Sequence, residues 1–313
     1  MRLEYIDNLK GFAIFTVIIG HLTERIYGCE GFNSFIYSFH MALFFFLSGY
    51  TNKINLSTFK ESISFIKKRC RTLLLPYISF SLLGIIIHGY ASTYSYFIEE
   101  ARMGLWFLPT LFCMCLLLCV LTIISKMNIK KIIYTAIIIQ IFLLLCKYYC
   151  NPTITQLFLI RHLTTYWIFF IIGIIFREKT IKLSEKMGAC FISLFVIGWF
   201  ISYKTGISNE IIRQIIRLIG TLSFIYLFKN EKLISKLRFF NYYGKNTLAI
   251  YILHYYFLEG IKSSLSAIEI SSPLLLIILL CILSYIIAKL CLVVQSIITT
   301  NKYLSYIMLG IKG

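Results

Sequence analysis

Two histidines from neighbouring apolar stretches, His21 and His40, are the side chains of this sequence best suited to move a proton. Imidazole titrates near neutral pH, so it can take a proton from a hydroxyl and return one to a leaving group. His21 closes the run Asp7-Asn-Leu-Lys10-Gly-Phe-Ala-Ile-Phe-Thr-Val-Ile-Ile-Gly-His21, and His40 stands in Phe39-His40-Met41, ahead of Phe44-Phe-Phe-Leu-Ser-Gly-Tyr50. An ionisable group within an apolar span is costly, and its presence marks a functional position by default. Lys10 precedes His21 by eleven residues, about 16 Å along a helix axis and roughly half of an apolar layer ~30 Å thick. If the first span runs outward and the second returns, both histidines lie about 8–9 Å below the outer surface.

Other charged and aromatic residues gather around this pair. Asp7, the only aspartate, is the acidic candidate of the catalytic group, although its position three residues before Lys10 favours pairing with that lysine. Glu24, one turn beyond His21, is placed to orient its ring or to meet a substrate. The cluster Lys67-Lys68-Arg69-Cys70-Arg71 precedes Leu73-Leu-Leu-Pro76-Tyr77. It reads either as a membrane anchor or as an anion site, since Arg69 and Arg71 can each make forked bonds to phosphate. Arg213 and Arg217, on one helix face, either snorkel to lipid phosphate or face inward and hold an anionic acceptor. Trp106 reads as an interfacial anchor or acceptor contact, and His162 as a solvated interface residue. His254, in Tyr251-Ile-Leu-His254, sits in mid-span and is expected to face inward, with a substrate-contacting role. Together these residues describe a polar path with a cationic mouth and a histidine base. Such a path suits group transfer across a membrane, and equally a proton-coupled transporter.

Membrane-spanning helices must position these groups. The 313 residues are 59% hydrophobic, with a mean hydropathy of +0.82, and apolar runs of spanning length recur throughout. Helices are expected near 11–26, 34–52, 72–90, 105–125, 132–149, 163–176, 187–203, 211–228, 246–262 and 273–299. This predicts an all-α integral membrane protein of about ten transmembrane helices in one bundle, forming a single domain over 1–313. Glu4 and Asp7 dilute any basic leader and no small-residue cleavage site follows, so the first helix is expected to be retained. The net charge of +18 would fit a nucleic-acid binder, but its distribution argues against one. Most of the 31 Lys and Arg fall on the side that holds both ends: Arg2, Lys10, Lys53 to Arg71, Lys126 to Lys131, Arg177 to Lys186, Lys229 to Lys245, Lys302 and Lys312. That bias makes both termini cytoplasmic and anionic lipids the default partner. The ten cysteines lie mostly in apolar spans without metal spacing, so neither disulfides nor a metal is expected.

The opening Leu3-Glu-Tyr-Ile-Asp7-Asn-Leu-Lys10-Gly-Phe-Ala-Ile, with His21 at the Lys-x10-His spacing, resembles the start of the acyltransferase 3 family of membrane acyltransferases. So do the stretch Phe39 to Tyr50, the basic cluster before Leu-Leu-Leu-Pro76-Tyr77, Leu105-Trp-Phe-Leu-Pro109, and Tyr243-Gly-Lys-Asn-Thr-Leu-Ala-Ile-Tyr-Ile-Leu-His254. The pieces occur in family order over nearly the whole chain. The resemblance implies transfer of an acyl group, usually acetyl, from cytoplasmic acetyl-CoA to a hydroxyl of a glycan or glycolipid. It makes His21 the catalytic residue, as general base or transient acetyl carrier. It assigns Lys10, Lys68, Arg69 and Arg71 to the acyl-CoA. Phe39-His40-Met41 is similar to the fucose-4-O-acetylase-like subgroup, which adds His40. Two positions depart from the pattern. Ala42 stands where a proline is usual, and Arg-x-x-Arg appears as Lys68-x-x-Arg71 or Arg69-Cys-Arg71. The resemblance, with the Ile-, Asn- and Lys-rich usage, implies a multi-pass protein of a bacterial inner membrane. A transporter or flippase, or an acyltransferase acting on a small metabolite or lipid, is the alternative.

Overall fold

The computed structural model describes residues 4–24, 26, 29–52, 58–125, 128–179, 184–230, 237–261, 264 and 272–311. Every candidate site residue falls inside this set, whereas Arg2, Lys53, Lys126, Lys182, Lys232, Lys236 and Lys312 of the charge distribution lie outside the described residues. The described residues form helices and turns, with no strand among them. In chain order the helices are α1 (Glu4–Thr23), α2 (Glu30–Tyr37), α3 (His40–Thr51), α4 (Phe59–Arg69) and α5 (Leu75–His88). There follow α6 (Thr93–Phe97), α7 (Phe107–Ser125), α8 (Ile129–Tyr149), α9 (Pro152–Leu157), α10 (Ile160–Glu178) and α11 (Glu185–Thr205). The chain continues through α12 (Glu210–Lys229), α13 (Phe239–Lys245), α14 (Thr247–Gly260), α15 (Pro273–Thr300) and α16 (Lys302–Leu309).

Among the described residues, eight helical stretches are long and apolar enough to cross a membrane. They are α2 with α3, α4 with α5, α7, α8, α10, α11, α12 and α15. Two of the expected spans are not in that set. The first turns of α1 carry Glu4, Asp7 and Lys10. The 14 residues of α14 reach only about 21 Å, short of a ~30 Å apolar layer. The expected second span begins earlier, at Glu30, and is interrupted at Ser38 and Phe39 before α3 resumes at His40. The expected third span also begins earlier, at Phe59, so the basic cluster is helical and not a loop. A capping box starts it: Thr58 Oγ1 accepts from the Glu61 amide at 3.2 Å, and the Thr58 amide donates to Glu61 Oε2 at 2.9 Å.

The chain forms two compact units, Met1–Leu47 with Ile181–Ser296, and Ser48–Thr180 with Ile297–Gly313. In the first, α1 lies directly along α13. Two glycines permit the approach: a Cβ on Gly244 would stand 1.7 Å from the Asp7 carbonyl oxygen, and one on Gly11 would stand 2.0 Å from that of Phe240. Phe12 then meets Phe224, Phe228 and Phe240 at centroid distances of 5.0, 5.2 and 5.9 Å. Phe39 stacks on Phe224 at 4.2 Å. This ring cluster binds α1, α12, α13 and the start of α3 together, and so fixes where His21 and His40 point.

In the second unit, α4 and α5 form one rod through a π-turn at Cys70–Leu74. The C-terminal helix α16 packs on it: Ser79 Oγ donates to the Ile307 carbonyl at 2.9 Å, and Gly310, with φ of +65°, caps α16 against the Arg71 carbonyl. Arg102 is buried at 4% exposure. Its guanidinium donates to the carbonyls of Gln156 and Leu157, at 3.1 and 2.8 Å, at the end of α9. Trp167 Nε1 donates to the Ala136 carbonyl at 3.1 Å and joins α10 to α8.

Candidate active site

His21 and His40 belong to the first unit and are connected there by two further side chains. His21 Nδ1 lies 3.1 Å from Glu24 Oε2. An ionised carboxylate can only accept, so this nitrogen carries a proton, and in the neutral imidazole the lone pair is then on Nε2. The second oxygen of Glu24 accepts a bond from the Tyr37 hydroxyl. The Tyr37 ring meets His40 edge to face at 4.8 Å, and His40 Nδ1 donates to the Ile36 carbonyl at 2.8 Å. His40 is 4% exposed. His254, 1% exposed, stacks on His21 with centroids 5.5 Å apart and planes 27° from parallel. Its Nδ1 donates to the Ile250 carbonyl at 3.1 Å. Three imidazoles, a carboxylate and a phenol are thus gathered in one place. A base with an oriented ring and an available lone pair is what removal of a hydroxyl proton requires.

Tyr37 was not among the residues singled out from sequence, although its place three residues before His40 puts the two side chains on one side of the chain. Asp7 stands apart from the cluster. It is 3% exposed at the other end of α1, about 21 Å along the axis from His21, so the carboxylate that meets the imidazole is Glu24. Lys10 shares the unbroken helix α1 with His21. The eleven-residue interval is close to three full turns, so both project from the same face about 16 Å apart.

Arg213 and Arg217 border a cleft of about 360 Å³ in the same unit, whose wall includes Tyr37. Arg217 Nη1 is bonded to Glu210 Oε1 at 2.8 Å. Arg213 Nε donates to the Ile207 carbonyl at 3.3 Å. Glu210, another residue not singled out from sequence, neutralises the arginine that stands deeper in the helix.

The second unit holds the basic cluster. Lys60, Ser64, Lys67, Lys68, Arg71 and Tyr306 line a cleft of about 570 Å³. Their spacing of three and four residues places the cations of α4 on one face. Arg69 points elsewhere: its Nη2 donates to Asn52 Oδ1, and its guanidinium lies 4.9 Å over the Phe65 ring. Of the two possible basic pairs, Lys68 and Arg71 share the cleft, whereas Arg69 is not in its lining. The π-turn begins between Arg69 and Arg71, and a π-turn inside a helix often marks a functional position. The Nε atoms of both arginines are buried without a hydrogen-bond acceptor. In the same unit Trp106 stacks on His162 at 4.0 Å and on Tyr166 at 5.7 Å. His162, expected as a solvated residue, is instead held between that ring and Glu100, whose carbonyl lies 3.1 Å from Nε2.

Among the described residues, no group of three His, Cys, Asp or Glu side chains could hold a metal ion. A family model described as an acyltransferase domain matches residues 3–293. No curated protein and no solved structure matches the chain.

Proposed function

Given that the chain belongs to the acyltransferase 3 family of membrane acyltransferases, we propose that it moves an acetyl group from acetyl-CoA to a hydroxyl of a cell-surface or lipid-linked glycan. The family match runs through both compact units, which supports one acyltransferase domain. The observation that carries the chemical assignment is the bond between His21 Nδ1 and Glu24. It fixes the ring and sets the proton on Nδ1, so that in the neutral imidazole the basic lone pair is on Nε2.

In this reaction the acceptor hydroxyl oxygen attacks the thioester carbonyl while its proton passes to His21 Nε2. The carbon–sulfur bond then breaks, and the imidazolium returns the proton to the departing CoA sulfur. An O-acetyl ester and free CoA thiol result. Glu24 stabilises the imidazolium and fixes the ring, Tyr37 holds Glu24, and His40 and His254 pack around them. Lys68 and Arg71, with Lys67 and Lys60 on the same face, bind the phosphates of CoA. Arg69 supports that site through Asn52, and Lys10 marks the cytoplasmic end of α1. A pantetheine arm spans the ~16 Å from Lys10 to His21 along that helix. The charge distribution supports cytoplasmic termini in a bacterial inner membrane, and the acceptor enters at the opposite side.

The test is transfer of labelled acetyl from acetyl-CoA into the glycan fraction of membranes that contain the protein. Wild type is expected to label that fraction. His21→Ala is expected to lose the signal by at least about a hundredfold, the scale of a removed general base. Undiminished labelling by His21→Ala excludes the assignment.

A further inference from the structure

We infer that the cleft beside Tyr37 receives the acceptor as an anionic sugar unit, its ring stacked on Trp199 and Tyr203 and its phosphate or carboxylate held by Arg213. This rests on the acyl-transfer reading above and names the substrate class of that reaction. Trp199 and Tyr203 are one turn apart on α11. Their rings are nearly parallel, with centroids 6.0 Å apart and planes at 13°. Phe35 braces Trp199 from the side, at 5.1 Å and 82°. The result is a fixed two-ring platform whose negative faces attract the partly positive C–H edge of a pyranose. The Trp199 indole N–H is buried with no acceptor of its own.

Charge defines the rest of the ligand. Arg217 is neutralised by Glu210 at 2.8 Å. Arg213 bonds only a backbone carbonyl, that of Ile207, and among the described residues no carboxylate is bonded to it. The cleft therefore presents one uncompensated cation, suited to a single phosphate or carboxylate. The hydroxyls of Ser34 and Ser202 also line it, whereas among the described residues no carboxylate or side-chain amide does. Such a lining offers hydroxyls to a sugar and a cation to its charged substituent. A volume of about 360 Å³ is near the lower end of the ~300–1,000 Å³ usual for small-molecule sites, and suits one sugar ring with its substituents. Tyr37 joins this cleft to the chemistry: it lines the cleft, and its hydroxyl donates to the carboxylate that holds His21.

The test measures binding of four probes to the full-length protein in nanodiscs: a hexose phosphate, a hexuronate, the free hexose and uridine. Acetyl-CoA binding and turnover are read on the same preparation. The charged sugars are expected to bind at least about tenfold more tightly than the free hexose, the value of one charge-assisted contact. Their ranking tells a phosphate-linked acceptor from a carboxylated one. Arg213→Gln is expected to abolish the preference and Arg213→Lys to keep part of it, with thermal unfolding as the check on folding. Should Arg213→Gln fail to fold, the wild-type preference and the Lys variant decide. Equal binding of free and charged hexose, an indifferent Arg213→Gln, or displacement of the sugar by uridine overturns the inference. Turnover of acetyl-CoA without any sugar binding overturns it while leaving the transferase standing. Sugar binding with the Arg213 dependence but no acetyl-CoA affinity upholds the cleft and defeats the transferase reading.

Discussion

Glu24 accepts two bonds at once, one from His21 Nδ1 and one from the Tyr37 hydroxyl, and in the proposed mechanism this shared carboxylate makes His21 a directed base. The bond to Nδ1 selects the tautomer whose lone pair is on Nε2, and it stabilises the charge that appears when Nε2 takes a proton. Replacing Glu24 by Gln keeps the size of the side chain but removes that charge. The expected result is a fall in kcat of about a hundredfold, with the KM for acetyl-CoA little changed. Steady-state kinetics on the purified protein reads both. A variant that raises KM and leaves kcat intact would place Glu24 in donor binding instead.

At the scale of the helices, the sequence makes some features plain and hides others for physical reasons. The long apolar runs announce α7, α8 and α15, because in a membrane a helix satisfies its backbone groups within the one segment. The Lys10 to His21 interval is legible for the same reason, since α1 is unbroken across it. The capping box Thr58-x-x-Glu61 was present as a signal, and it would have extended the third span back through the basic cluster. The break at Ser38 and Phe39 has no proline or glycine to announce it; it depends on Phe39 seating in the ring cluster around Phe224. The π-turn at Cys70–Leu74 is equally silent, because a widened turn is set by tertiary packing and not by composition. It has a consequence that can be measured. Inserting one alanine after Thr72 adds a residue beyond the one the π-turn accommodates, and rotates α4 by about 100° relative to α5. The cations of α4 then leave their present alignment with Tyr306. The expected outcome is a rise of at least about tenfold in the KM for acetyl-CoA, with unchanged helix content by circular dichroism. An unchanged KM would show that the turn does not aim these cations.

For the molecule as a whole, apolar spans set the fold class, and in the proposed account the basic residues set its sidedness, with the cations of α4 in the second compact unit and His21 in the first. The resemblance read from motifs agrees with the family match over residues 3–293. What motifs alone left open, namely which basic pair shares a cleft and which carboxylate meets His21, depended on side-chain direction. That direction is set by the π-turn at Cys70–Leu74 and by the turn of chain from Tyr37 to His40. The central claim is that donor binding and proton transfer are carried by separate groups, the cations of α4 and the imidazole of His21. It is tested most directly by measuring acetyl-CoA binding and hydrolysis on detergent-purified wild type, His21→Ala and the double variant Lys68→Ala/Arg71→Ala. The account predicts that wild type binds and hydrolyses acetyl-CoA, that His21→Ala binds it without turnover, and that the double variant loses binding. Wild-type protein without affinity for acetyl-CoA, or full turnover by His21→Ala, would contradict it.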